Sequence, residues 1–293
     1  MLDVIIVGGS YAGIAAALQL GRARRAVLVL DTGVRRNRFA TAAHGFLGQD
    51  GRDPATIVAI ARAELRAYAT VAWLDDAAVE ARAEGDGFAV TVASGVTHHA
   101  RRVILASGIA DDLPAVPGIA ERWGTHVFHC PYCHGYELER GPLGVLAASP
   151  MSSHHALLVS DWGPTTLFTQ GVHEPDAEQR VALARRGVTI ERSPVVAVEG
   201  AADLRLDDGR VVAVAGLFVL SMIRLTSQLF AQLGCGLEDG PMGAFVKTDP
   251  MKETTTRNVF ACGDLAVMAG GIAFAVADGA RAGISAHQSL IFR

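Results

Sequence analysis

A β-branched run, Val4-Ile5-Ile6-Val7, leads directly into Gly8-Gly9-Ser10-Tyr11-Ala12-Gly13 and then into an Ala- and Leu-rich segment reaching about Gly21. A second apolar run, Ala26 to Leu30, ends in Asp31. This order constrains the start of the chain to a βαβ unit with a phosphate-binding corner. Glycine permits the tight turn, the helix N-terminus offers unpaired N–H groups to a pyrophosphate, and an acid after the second strand takes a ribose hydroxyl. The middle glycine of the G-x-G-x-x-G pattern is replaced by Ser10, which is small enough to let the backbone approach a ligand.

The basic loop Arg35-Arg36-Asn37-Arg38 follows, read either as a solvated connection or as a contact to a cofactor phosphate. After His44-Gly45-Phe46-Leu47 come a helix from about Pro54 to Tyr68 and a strand from Val71 to Leu74. Val79 to Arg82, Phe88 to Ala93 and Val96 to His99 alternate around Gly-Asp-Gly and Ser-Gly turns, as a three-stranded meander does. His98 and His99 read as surface positions of that meander. A separate buried strand, Arg102 to Ala106, closes in Ala106-Ser107-Gly108, and Pro114 and Pro117 mark a linker.

From Gly141 the plan repeats: strand 143–147, helix 152–159, strand 165–169, helix 176–186, strand 188–191, a meander through Val195, Leu204 and Val211, and strand 217–221. The second corner, Ala147-Ala148-Ser149-Pro150-Met151-Ser152-Ser153, has no glycine, and its proline removes a donor. The next strand ends in Thr169-Gln170-Gly171-Val172-His173-Glu174, without an arginine for a 2′-phosphate. Both features argue against an NADPH site. The chain then returns to the first domain with Val259-Phe260-Ala261-Cys262-Gly263-Asp264, and Gly270-Gly271-Ile272 opens an Ala-rich helix. Cys262 reads as a small hydrophobe in a strand, and Cys235, between two glycines, as inert.

Between the repeats lies His129-Cys130-Pro131-Tyr132-Cys133-His134-Gly135-Tyr136-Glu137. A Cys-x-x-Cys spacing closes and reopens a small disulfide ring, or contributes two ligands to a soft metal. Pro131 presets the first turn of a helix, whose N–H groups then point back at Cys130 and favour its thiolate. A zinc site needs two further ligands, and Cys235 and Cys262 are single and distant. The pattern is therefore read as a redox pair without a metal. His129 and His134 flank it as candidate proton carriers.

A net charge of −4 without any basic run gives no footprint for nucleic acid or an anionic membrane. Four cysteines in 293 residues do not make a disulfide framework. No basic n-region with a cleavage site opens the chain, and the apolar run 265–277 is too short to span a bilayer, so the expectation is a cytoplasmic protein.

The early glycine corner, Ala106-Ser107-Gly108, the Cys-x-x-Cys before an inserted domain, and Phe260-Ala261-Cys262-Gly263-Asp264 together resemble the low-molecular-weight thioredoxin reductases over nearly the whole chain. Cys-Pro-Tyr-Cys-His-Gly-Tyr-Glu, with His44-Gly45-Phe46-Leu47, is similar to the FAD-dependent dithiol oxidases of the gliotoxin, holomycin and romidepsin type. The resemblance implies an α/β protein of two Rossmann-like, three-layer ββα domains: a discontinuous FAD domain (1–115 and 241–293) and an inserted NADPH-type domain (116–240) with a degenerate nucleotide site. It also implies a homodimer. Gly8, Ser10, Ala12 and Gly13 would hold the FAD pyrophosphate, Asp31 the adenosine ribose, and Gly263 with Asp264 the ribityl chain and phosphate. Ile272 and Ala273 would meet the flavin pyrimidine edge, with Asn37, His44, Ala106 and Gly108 as further cofactor contacts. Cys130 and Cys133, with His134 or His129 as base, would oxidise a small-molecule or peptide dithiol and pass its electrons through FAD to oxygen. The alternatives are a disulfide reductase fed by NADPH or another donor, and a non-catalytic flavin-binding redox sensor.

Overall fold

The structure is a computed structural model that describes residues 1–267 and 270–293. Met268 and Ala269, inside the apolar run 265–277, lie outside the described residues. No helix among the described residues is long and apolar enough to cross a membrane. The chain divides into two compact units. Met1–Arg38, Pro54–Ala110 and Ile223–Arg293 form the first; Phe39–Asp53 and Asp111–Met222 form the second.

The first unit opens with β1 (Leu2–Val7), α1 (Tyr11–Arg22), β2 (Val27–Leu30), α2 (Pro54–Leu65), β3 (Val71–Leu74), β4 (Ala78–Glu84), β5 (Gly87–Val92) and β6 (Thr97–Leu105). Its sheet runs β3-β2-β1-β6-β5-β4, parallel from β3 through β6 and antiparallel through β5 and β4. The strand Val259–Ala261 adds to β6 in parallel. Val4 to Val7 are buried because β1 is covered on both faces, as a central parallel strand must be. Successive residues serve opposite faces. Ile5 and Val7 pack with Leu28, Leu30, Val103 and Leu105; Val4 and Ile6 pack with Val27, Val29, Ile104 and the helices α1 and Ile272–Phe292.

The third meander strand and the separate buried strand expected from the sequence are one strand, β6. Arg101 and Arg102 suggest a polar break there. Instead, Arg102 is buried and donates to the Ser289 hydroxyl and carbonyl, each at 2.8 Å, and to the Arg101 carbonyl at 2.9 Å. The guanidinium thus ties β6 to the C-terminal helix.

The units also depart from the expected domain limits. Residues 223–240 belong to the first unit because Leu229, Phe230, Leu233 and Cys235 sink into the core around Ile5 and Val90. Residues 39–53 and 111–115 belong to the second unit. There Phe39 packs directly on Gly124, and His44 Nε2 lies 3.4 Å from Glu137 Oε1.

The second unit repeats the layered plan. Five parallel strands lie in the order Thr189–Glu191, Thr165–Phe168, Leu143–Leu146, Gly216–Val219, Val127–Phe128. The helix Ser152–Val159 follows the central strand, and Ala177–Arg185 starts on an Asp176/Gln179 capping box. A three-stranded antiparallel sheet, Val195–Glu199, Asp203–Leu206 and Val211–Ala213, completes the unit.

Two expectations follow. An added Cβ at Gly279, on the C-terminal helix, would lie 2.0 Å from the Ala12 carbonyl oxygen. Alanine normally favours a helix over glycine by about 1 kcal/mol, but here the clash reverses the sign. Gly279→Ala should destabilise the first unit by about 1–3 kcal/mol, read as a lower denaturant midpoint; an unchanged or higher midpoint would overturn this packing account. The second concerns His155, buried edge-on against Phe218. Burial, reinforced by neighbouring His129, pushes its pKa down to about 3. The unfolded chain binds the proton more tightly, so this contribution is intact above about pH 6.5 and is lost toward pH 3, at up to about 1.4 kcal/mol per pH unit. Urea unfolding followed through Trp123 and Trp162 should show this slope, and His155→Gln should flatten it. An equally steep slope in that variant would assign the acid sensitivity elsewhere.

Candidate active site

The redox segment is built from the edge strand of the second unit. Val127 and Phe128 pair with Leu217 and Phe218, and the chain leaves the strand through His129 into a one-turn helix, Pro131–His134. Cys130 is the extended N-cap and Pro131 the first helical residue. The Cys133 N–H donates to the Cys130 carbonyl at 3.2 Å, and the Gly135 N–H to the Pro131 carbonyl at 2.7 Å. This turn sets the two sulfurs 2.8 Å apart, both half-buried as free thiols. The Trp162 ring, edge-on to Tyr132, occupies the place where a side chain at Gly135 would lie.

His134 stacks on Phe128 with ring centroids 4.5 Å apart. Neither of its ring nitrogens meets hydrogen-bond geometry with a described group. Burial lowers its pKa; Glu137 opposes this, and His44 adds to it. The imidazole is therefore neutral at neutral pH and able to accept a proton. His129 lies on the other side of the pair in sequence, with its Nδ1 3.4 Å from the hydroxyl of fully buried Ser221, which itself donates to Asp111 Oδ1 at 2.8 Å. His44, expected among the cofactor contacts, belongs to the second unit, between Glu137 at 3.4 Å and Asp50 at 3.6 Å. Among the described residues, no group of three or more His, Cys, Asp or Glu is arranged to hold a metal ion. The two remaining cysteines are buried. Burial raises the pKa of both, and Cys235 lies 3.3 Å from the Thr254 hydroxyl.

The second corner is filled from within. The Ser152 hydroxyl accepts from the Ala148 and Ser149 N–H groups at 3.1 and 3.3 Å and donates to the Ser149 carbonyl at 2.7 Å. Ser153 Oγ lies 2.7 Å from His173 Nε2. At the end of the next strand, the Gln170 side chain bonds both the N–H and the carbonyl of Val195. Two backbone donors of this corner, those of Ala148 and Ser149, are thus engaged by one serine side chain.

In the first unit the corner is open in character. Gly8 has φ +106°, and an added Cβ would sit 2.2 Å from the Ala106 carbonyl oxygen; one at Gly13 would sit 1.8 Å from that of Gly8. Ser10 is the extended N-cap of α1 and makes no side-chain capping bond. Asp31, at the end of β2, accepts from the Gly9 N–H at 3.1 Å. Gly263 packs against Ala12, and its N–H donates to Asp278 Oδ2 at 2.9 Å. Asp264 accepts from Arg36 at 3.0 Å, and Asn37 donates to the Tyr11 hydroxyl at 3.1 Å. Gly8, Ala106 and Gly263 thus converge at the C-terminal ends of three neighbouring strands, where α/β sheets bind ligands. Gly108 (φ +69°) follows Ala106 by two residues, and Ile272 and Ala273 start the C-terminal helix, whose N-cap Gly271 has no side-chain bond. A close-approach glycine corner facing a helix start without a side-chain cap fits a dinucleotide cofactor.

Ser221, Asp111, Glu137, His155 and Trp162 were not identified from the sequence. Ser221 alone had a usable signal, as a polar residue ending a predicted buried strand.

Known proteins share this arrangement. The pyridine nucleotide-disulphide oxidoreductase family matches residues 2–282. A thioredoxin reductase, tcpT, of Claviceps purpurea is 31% identical over 306 residues, covering 99% of this chain and 95% of that protein. The crystal structure of an oxidoreductase from Agrobacterium tumefaciens superposes with a TM-score of 0.97 at 53% identity, covering 99% of each chain. That of HlmI gives 0.92 at 34% identity, covering 99% of this chain and 92% of its own. With its paired cysteines and dinucleotide corner, the chain belongs to the pyridine nucleotide-disulphide oxidoreductase family and is a flavin-dependent thiol/disulfide oxidoreductase.

Proposed function

We propose that this oxidoreductase runs in the oxidative direction, as a dithiol oxidase that closes a disulfide in a small-molecule or peptide dithiol. The observation that carries this reading is the second corner, closed by Ser152 and Ser153 while the Cys130–Cys133 pair is intact. A reductase fed by NADPH needs an open nucleotide corner in this unit, and the hold of the Ser152 hydroxyl on the Ala148 and Ser149 N–H groups argues against one. The likeness to HlmI adds support.

In the oxidised protein, one substrate thiolate attacks Cys130 Sγ and the Cys130–Cys133 bond breaks, with the electron pair leaving on Cys133. The second substrate thiolate attacks the mixed disulfide and releases the cyclised product, leaving both cysteines reduced. Neutral His134 takes the proton of the second substrate thiol, the one that attacks the mixed disulfide, in a position where burial keeps it from being charged already. The Gly8–Gly13 corner, Asp31 and Gly263 with Asp264 would hold FAD, which would supply the two-electron acceptor for the reduced Cys130–Cys133 pair, with oxygen as the final acceptor in this reading. NADPH has no part in this cycle. The same reading takes the protein as a cytoplasmic homodimer.

The name of tcpT favours a second reading, a thioredoxin reductase fed by NADPH. An anaerobic absorbance titration separates the two. A small dithiol alone should bleach the flavin, and air should restore it; rapid bleaching by NADPH would overturn the oxidase reading. His134→Ala should slow dithiol turnover by about 100-fold or more. It should also remove an acid limb that lies below the ordinary histidine range in the parent, since lowered affinity moves the loss of the base to lower pH. Unchanged turnover across pH would remove His134 from the mechanism.

A further inference from the structure

The hydroxyl of Ser221 stands between two groups and has one proton to give. It lies 2.8 Å from Asp111 Oδ1 and 3.4 Å from His129 Nδ1, and Ser221 is fully buried. A carboxylate only accepts, so the Ser221 proton goes to Asp111. Toward His129 the same oxygen is left as an acceptor, and its partner must be an Nδ1–H. The backbone fixes all three positions. Ser221 lies two residues beyond Gly216–Val219, the strand that pairs in parallel with Val127–Phe128, so both chains leave the sheet at the same end. His129 therefore meets Ser221 where it turns toward Cys130. The separation of 3.4 Å is longer than the usual N–H···O range of about 2.7–3.2 Å, so the contact is a weak one.

We propose that Ser221, oriented by Asp111, is a positioning residue that holds His129, the residue before Cys130, as its Nδ1–H tautomer and so leaves Nε2 to act as the proton acceptor. The proposal rests on the thiol exchange at Cys130 described above. In that step the entering thiol gives its proton to His129 Nε2 as its sulfur bonds to Cys130 Sγ and the electron pair of the broken disulfide leaves on Cys133. An imidazole protonated at Nε2 instead would offer a donor there and could not take the proton. His155, beside His129, is held neutral by burial, so it does not supply a competing charge at neutral pH.

The test is nitrogen NMR on the full-length holoprotein labelled with ¹⁵N-histidine, with the His129 signals identified by their loss in His129→Gln. The parent should show a protonated Nδ1 and an unprotonated Nε2. Ser221→Ala should move the population toward Nε2–H, and Ser221→Thr should restore the parent pattern. In Asp111→Ala the serine proton is released toward His129, so the tautomer should invert even though the hydroxyl is present. Anaerobic exchange of a small dithiol with the Cys130–Cys133 disulfide should slow about tenfold in Ser221→Ala. An Nε2–H tautomer in the parent, or an unchanged tautomer in both alanine variants, would overturn the assignment. If the tautomer responds as expected but dithiol does not reduce the parent, the positioning role stands and the oxidase reading falls.

Discussion

The first unit depends on how closely its backbone packs at one corner. Gly13 sits over the Gly8 carbonyl and Gly8 over that of Ala106, at distances no side chain would allow. This contact locks the start of α1 onto the ends of β1 and β6. The C-terminal helix then closes over α1 through Gly279 and Gly283. Arg102 anchors the other end of that helix to the middle of β6. The helix start left without a side-chain cap at Ser10 is thus held by elements brought together from both ends of the sequence.

The second unit uses the same architecture to a different end. Its strand order and layers follow the plan of the first, but glycine is absent from its corner, and the Ser152 hydroxyl takes two of the backbone donors there. The paired cysteines of this unit lie instead at one edge of its sheet, where Val127–Phe128 delivers His129 and Cys130. A short helix suffices there. It sets one sulfur on the turn that carries the other and stacks His134 on Phe128.

Local patterns made much of this legible in the sequence. A β-branched run before glycines, two corners of contrasting composition, and proline between two cysteines each fix a conformation within a few residues, and each lies where expected. The sequence misleads where a long-range partner decides. Arg101-Arg102 looks like a break, yet Arg102 finds Ser289 almost two hundred residues away, and β6 continues through it. Residues 223–240 look like the end of the inserted domain, but Leu229, Phe230 and Leu233 have the apolar surface that the first core needs. Asp111 and Ser221 carry no local pattern at all. Their meeting with His129 comes from strand register, which a single sequence does not spell out.

The serine-filled corner also bears on how this fold could acquire or lose a nucleotide. Ser152 acts as a tethered ligand, present at the corner at the high effective concentration of a group in the same chain. A dinucleotide arriving from solution would have to displace it bond for bond. A glycine at any of positions 147–151 would leave this hydroxyl in place. On the reading proposed above, the lack of a nucleotide here would then rest on that hydroxyl as well as on the missing glycine.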